Sequence, residues 1–269
     1  MELSEPVIIG NSLIMTELKN RIRKVADTDF NVLICGEAGV GKDVIAQALH
    51  LLSYRKARPF IKVNCSETPA ELLESELFGN ENESVPGTGT VKVGKLEQAH
   101  RGTIFLDQID AMHLTLQAKV LLFLEGREFS PLNSKRTVKV DCWVLAATNG
   151  NLEKHIKQGL FREDLYHRLN IIRILIPPLR ERPEDIEPLI HYFAEKFSTE
   201  AQEPSFEFSD DGIMDKLRRY PWPGNVTELQ NMAMRLLRMY DWQAVEKKLA
   251  LSSRQIKTGT ATRTLVRKW

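Results

Sequence analysis

Val32-Leu33-Ile34-Cys35-Gly36-Glu37-Ala38-Gly39-Val40-Gly41-Lys42-Asp43 is the stretch whose reading settles the fold. An apolar run ends in a glycine-rich turn, and Lys42 then opens a helical pattern that continues to Leu52. Strand, loop and helix in that order is the context of a phosphate-binding loop. Glycines at 36, 39 and 41 let main-chain N–H groups converge on phosphate oxygens, the helix N-terminus adds positive potential, and Lys42 neutralises the β and γ phosphates. A chance glycine-rich turn would not bring the strand, the spacing and the lysine together. Glu37, Ala38 and Val40 complete the loop, and Asp43 stands where such loops usually carry Ser or Thr to touch Mg²⁺.

Outward from this loop, apolar or β-branched runs at 31–35, 60–64, 103–107, 138–148 and 171–176 predict strands, and the helical patterns at 42–52 and 114–124 lie between them. Such interleaving implies a parallel sheet covered on both faces. Pro177-Pro178 marks a boundary, after which apolar spacing turns helical over 186–197, over 212–219 behind Ser209-Asp210-Asp211, and over 226–240. The composition changes again near 241. From Leu249 to Trp269 the chain holds Arg254, Lys257, Arg263, Arg267 and Lys268 and no acidic residue. The expected organisation is an α/β nucleotide-binding domain over 1–177, a small helical domain over 178–240, and a basic module over 241–269.

With 269 residues, 42% of them hydrophobic, the chain can bury one or two cores. Its 37 Lys and Arg against 36 Asp and Glu give a net charge of +1, which excludes a uniformly basic coat or an acidic tail and confines any polyanion site to a local patch. Cys35, Cys65 and Cys142 are far apart and form no CxxC, so neither a disulfide framework nor a zinc site is expected. The start of the sequence lacks a basic and an apolar signal region, and no apolar run reaches membrane-spanning length. A soluble, cytoplasmic protein with no membrane partner is the expectation.

Five further segments carry a resemblance: 70–79 (AELLESELFG), 102–107 (GTIFLD), 161–170 (FREDLYHRLN), 178–182 (PLRER) and 222–226 (WPGNV). Together with the phosphate loop they resemble, in order, the AAA+ sigma-54 interaction domain of bacterial enhancer-binding transcription regulators, over about residues 9 to 240. The resemblance implies a P-loop AAA+ sheet domain with an α-helical lid. It also implies ATP and Mg²⁺ at a subunit interface and self-association into a ring, usually a hexamer. Matched position by position, Asp107 resembles the Walker B aspartate that holds the metal, Asn149 the sensor of the γ-phosphate, and Asn64 the switch residue. Arg162 and Arg168 resemble the arginines that reach into a neighbour's ATP site, where a planar fork stabilises developing charge. Read without the family, the same arginines make ordinary surface ion pairs with Glu163 or Asp164. Residues 252–269 read as helix, glycine turn and helix, with Thr262, Arg263, Arg267 and Lys268 outward, and resemble the helix-turn-helix ending of those regulators, which would make DNA a partner. The other reading of that segment is a frayed basic tail.

Three departures bear on function. The family's Walker B ends in Asp-Glu, but Gln108 follows Asp107; an amide can hold a water by hydrogen bonds and cannot take its proton. Glu83-Ser84-Val85-Pro86-Gly87-Thr88 replaces the GAFTGA element that touches sigma-54, and Thr227 replaces the lid arginine that senses the γ-phosphate. The expectation is a transcription regulator that binds ATP and DNA, hydrolyses ATP weakly and does not contact sigma-54. Two alternatives stand beside it: a working ATPase that remodels sigma-54 RNA polymerase, and an adaptor without DNA affinity in mixed rings with active paralogues. RNA polymerase or a regulatory protein is the further partner considered. No receiver or sensory segment precedes Ile9 in this sequence, so control is expected from expression level, nucleotide or a partner.

Overall fold

The strands around the phosphate loop are buried on both faces, and this burial decides their composition. A computed structural model of the chain describes residues 7–84, 91–201 and 211–239. Its first elements are α1 (Leu13–Ala26), β1 (Val32–Cys35), α2 (Lys42–Leu52), β2 (Phe60–Asn64), α3 (Ala70–Phe78), β3 (Gly79–Ser84), β4 (Val91–Val93), α4 (Lys95–Gln98) and β5 (Thr103–Asp107). There follow α5 (Leu114–Gly126), β6 (Glu128–Phe129), β7 (Val138–Lys139), β8 (Trp143–Thr148), α6 (Leu152–Lys157), α7 (Glu163–Leu169), β9 (Ile172–Leu175), α8 (Ile186–Ala201), α9 (Asp211–Arg219) and α10 (Asn225–Met239). Five strands form one parallel sheet in the order β2-β5-β8-β1-β9. The inner strands β1, β5 and β8 are buried at every position, which is why VLIC, TIFLD and WVLAAT read as near-continuous apolar runs; the edge strands expose Lys62 and Arg173.

The register brings strand ends level. Asn64 lies opposite Asp107 across β2 and β5, and Cys35 opposite Thr148 across β1 and β8. Beneath the sheet, Ile104, Leu106 and Val144 share one core with Leu116 and Val120 of α5 and Leu165 and Leu169 of α7. Leu-to-Ala changes in such a core typically cost about 2–5 kcal/mol.

The run 138–148, expected as one strand, is two. Val138–Lys139 pairs antiparallel with β6, Val140 N donates to Arg127 O, and only at Trp143 does the chain join β5 in parallel. The change of partner falls at Asp141, whose carbonyl accepts the amide of Arg101. Between α3 and β5 stands the antiparallel pair β3–β4, entered through Gly79 at φ 81°, where a Cβ would lie 2.8 Å from Lys92 O and Gly94 N. Val85, Pro86, Gly87 and Thr88 of the segment between them lie outside the described residues.

The chain divides into two compact units. The second takes Ile9–Glu17, Ala38–Gly41 and the described residues from Pro177 onward, and the sheet belongs to the first. Leu179, Ile186, Ile190, Phe193, Leu217, Trp222 and Leu229 form the second unit's own core. Trp222 is buried, its Nε1 donates to Leu217 O at 2.9 Å, and its ring meets Tyr220 edge-on at 4.9 Å. Buried Asp185 accepts Asn11 N, Ser12 N and Ser12 Oγ at 2.6, 2.8 and 2.7 Å, so a distant carboxylate caps the first turn of α1. The module expected at 241–269, with Thr262, Arg263, Arg267 and Lys268, lies outside the described residues. Among the described residues no helix is long and apolar enough to cross a membrane.

Candidate functional site

In the first unit, the carboxyl ends of β2, β5 and β8 carry Asn64, Asp107 and the Thr148-Asn149 pair, the edge where open parallel sheets bind ligands. Lys42, at the start of α2, is buried, and its Nζ donates to Gly36 O and Glu37 O at 2.9 Å each and to Asn149 Oδ1. The ammonium is thus satisfied by neutral oxygens. Burial pulls the Lys42 pKa below the ordinary lysine value, against the opposing charges of Asp107 and Asp110.

Asp107 is buried at the tip of β5, and burial, followed by the charge of Asp43, raises its carboxyl pKa. Gln108 takes the left-handed region at φ 53° and ψ 50°, and its amide donates to Asp107 Oδ1 at 2.9 Å. A non-glycine residue in that region is a strained position of the kind found beside functional groups. Asn64 Oδ1 accepts Ser66 N and Ser66 Oγ, both at 3.0 Å.

Two residues that sequence reasoning passed over stand beside these. Asp110 accepts Thr148 Oγ1 at 2.6 Å, which places a carboxylate against the strand that carries Asn149. Lys62 of β2 reaches Asp43 Oδ2 at 2.7 Å and Asp107 Oδ2 at 3.6 Å. Burial works against its ammonium, but the bond and charge of Asp43, with the charge of Asp107, outweigh it and raise the Lys62 pKa. The signal for Lys62 was its charge at the centre of the strand Phe60–Asn64, between Ile61 and Val63.

The donor set suits Mg²⁺. Asp43 Oδ1 is buried without a hydrogen-bond partner, and with Asp107 it offers the one or two carboxylates that this ion uses when phosphates supply further oxygens. Among the described residues no group of three or more His, Cys, Asp or Glu could hold a metal by itself.

In the second unit, the middle of the phosphate loop is held through its carbonyls. Asn225 Nδ2 donates to Ala38 O at 2.9 Å, Thr227 N to Gly39 O at 3.2 Å and Arg182 Nη2 to Val40 O at 3.3 Å. In a trans peptide the N–H points away from the C=O, so these bonds turn the amides of Gly39, Val40 and Gly41 away from Asn225, Thr227 and Arg182. Gly39 has φ 78°, and a Cβ there would lie 2.3 Å from Gly224 O. Asn225 is fully buried and also accepts Leu179 N at 2.9 Å. Thr227 therefore meets the loop through its main chain.

Arg162 is exposed and gripped by Asp164, with Nε–Oδ1 3.0 Å and Nη2–Oδ2 2.7 Å, while Glu163 faces His167 at 3.7 Å. Its amide is fixed by Oε1 of buried Gln117 at 2.8 Å, a contact no sequence pattern announced. Arg168 is exposed on the last turn of α7. Among the described residues no bond links either arginine to Lys42, Asp107 or Asn149.

Residues 8–175 match the Sigma-54 interaction domain, and residues 180–263 match the AAA+ ATPase lid domain, a match that runs into the segment expected as a helix-turn-helix. The regulatory protein AtoC of Escherichia coli (strain K12) is 45% identical over 232 residues, covering 86% of this chain and 50% of AtoC. The DNA-binding transcriptional regulator NtrC of Azospirillum brasilense is 41% identical over 88% of this chain and 49% of its own length. Among solved structures, NtrX from Brucella abortus in complex with ADP is 36% identical with a TM-score of 0.81, covering 88% of this chain and 52% of that one. The same protein in complex with ATP gives 36% and 0.81, covering 87% and 50%. This chain spans about half the length of the curated relatives it matches. With a parallel five-stranded sheet, a phosphate loop at its carboxyl edge and a helical lid, the chain belongs to the sigma-54 interaction domain family.

Proposed function

We propose that this chain is a bacterial transcription regulator that binds ATP at loop 36–43, holds it between protomers of a ring and hydrolyses it poorly. One observation carries the reading: the residue that follows the metal-holding carboxylate is the neutral amide of Gln108. Lys42 exchanges its carbonyl partners for phosphate oxygens, and the amides of the loop bind the same phosphates. Asp107 and Asp43 would hold Mg²⁺, which would supply charge neutralisation to the phosphates. The Gln108 amide holds a water without taking its proton, Asn64 leaves Ser66 to orient that water, and Asn149 positions the γ-phosphate. Arg162 exchanges Asp164 for a neighbour's nucleotide and Arg168 supports it, so ATP acts as a ligand that strengthens subunit contacts. Residues 241–269 contact DNA, several copies acting together. That NtrX from Brucella abortus, 36% identical to this chain, was crystallised with ATP and with ADP supports the nucleotide part of this reading.

A second reading, a working activator, draws on Asp110, a carboxylate two positions beyond Gln108 and bonded to Thr148. Titration with a fluorescent ATP analogue and mass measurement with and without ATP test the first reading. It expects saturable binding that Lys42→Ala weakens about 10- to 100-fold, and a larger mass with ATP. No binding by the unmodified chain, or an unchanged mass under saturating ATP, would overturn it.

A further inference from the structure

Lys62 projects from the edge strand β2, where its register partner on β5 is Phe105, and its Nζ stands 6.0 Å from the centre of that ring. From there it reaches two carboxylates that belong to different elements: Asp43 Oδ2 in the first turn of α2 at 2.7 Å and Asp107 Oδ2 at the tip of β5 at 3.6 Å. The side chain of Asp107 is only 12% exposed, so its interaction with a neighbouring cation is less weakened by water than at an open surface. Asp43 Oδ1, the other oxygen of the pair's outer member, is buried without a partner.

We propose that Lys62 is a tethered cation that holds the place of the divalent ion, so that the site rejects free Mg²⁺ and accepts metal only when it arrives with nucleotide. This rests on the reading of Asp107 and Asp43 as the metal's carboxylates. Without Lys62 the two carboxylates lose the cation that bridges them, and Lys42, bonded to neutral oxygens, is left to oppose their charge from farther off. With it, an incoming divalent ion must displace an ammonium that is already hydrogen-bonded to Asp43, and it gains less from the carboxylates than their charge alone would give. A nucleotide changes the balance, because its phosphates bring their own negative charge and metal-binding oxygens, and Lys62 can turn to them. The consequence is an order of binding imposed by one side chain. A purely structural ion pair at the same place would do none of this; its loss would lower stability without tightening metal binding.

Mn²⁺ binding to the nucleotide-free chain, followed by the loss of the free-ion paramagnetic resonance signal, tests the proposal in the unmodified protein and in Lys62→Gln. Lys62 is partly exposed on an edge strand, so the variant is expected to fold; its circular dichroism checks this. The variant should bind Mn²⁺ about two- to fivefold more tightly than the parent, the range that loss of a competing cation at a partly exposed pair gives. With ADP present the difference should shrink to less than about twofold, because the nucleotide then supplies the dominant ligands. Unchanged, weaker or absent Mn²⁺ binding by Lys62→Gln in the nucleotide-free chain would overturn it. Binding of ADP is read in the same samples by equilibrium dialysis. A chain that binds no ADP contradicts the nucleotide-site reading by itself, whereas a chain that binds ADP and shows no effect of Lys62→Gln contradicts only the role given to Lys62.

Discussion

The phosphate loop is anchored twice, and the two anchorages are built from different chemistry. In the first unit Lys62 meets Asp43 and Asp107 through charges, and the Lys42 ammonium donates to neutral oxygens, partners that a nucleotide or a metal can replace. In the second unit Ala38, Gly39 and Val40 are held by their carbonyls, two of them by buried Asn225 and Arg182, with Gly39 packed too closely for any side chain. The difference separates what ligand binding rewrites from what it leaves alone. Charged contacts near water are cheap to exchange, whereas buried main-chain bonds cost about 1–3 kcal/mol each when a partner is lost. In the proposed reading the charged end sets affinity and chemistry, and the main-chain end, where only loop carbonyls accept, sets the shape of the loop.

The largest effect that would break this contrast lies at the charged end. Gln108→Glu restores a carboxylate beside Asp107, and steady-state phosphate release should rise by about two to four orders of magnitude, with ATP affinity changed little. An equal turnover in the two proteins would mean that the amide is not what limits the reaction. The main-chain end should behave in the opposite way. Asn225→Ala leaves Leu179 N and Ala38 O without their partner, so thermal unfolding should show a loss of about 2–4 kcal/mol in the nucleotide-free chain, while Lys42→Ala, which removes a buried charge bonded only to neutral oxygens, costs less. Similar losses for both would erase the distinction.

The smallest expected effect sharpens the contrast through pH. Folding raises the Asp107 pKa, chiefly by burial, above the ordinary aspartate value. A carboxyl raised in this way contributes stability below its unfolded value, and that contribution is lost as pH rises through the folded value. Metal binding needs the opposite protonation state. Mg²⁺-dependent nucleotide binding should therefore weaken on acidification at a pH above the ordinary aspartate range, where protonation of Asp107 by itself does not lower the unfolding temperature of the nucleotide-free chain. Isothermal titration across the acid range reads the first quantity and calorimetric scanning the second.

Much of the sheet was legible because its strands are buried on both faces. Phe60–Asn64 and Thr103–Asp107 have the bounds their apolar runs suggested, and so does the helix Lys42–Leu52. The run 138–148 misled because apolar composition does not record a change of strand partner at Asp141. Helix α1 went unread because its cap is Asp185, a residue 173 positions from Ser12. The same distinction runs through the site. Lys42, Asp107, Asn64 and Asn149 were readable from motifs, which fix residues at strand ends. Asp110 and Gln117 act through partners brought close only by folding, so no local pattern singles them out, and Arg182 and Asn225, though they lie in the segments PLRER and WPGNV, show their bonds to the loop only in the fold. Arg162 was read both as a residue that reaches a neighbour and as half of a surface ion pair, and within one chain the ion pair with Asp164 is what forms.

The central claim is that nucleotide is kept and not consumed, and the fate of bound ATP tests it most directly. The unmodified chain is loaded with ATP and Mg²⁺, freed of excess nucleotide and sampled over time for conversion to ADP, with Gln108→Glu beside it. The account predicts that the parent still carries intact ATP after the variant has turned its own to ADP. Conversion in the parent at the variant's rate would contradict it.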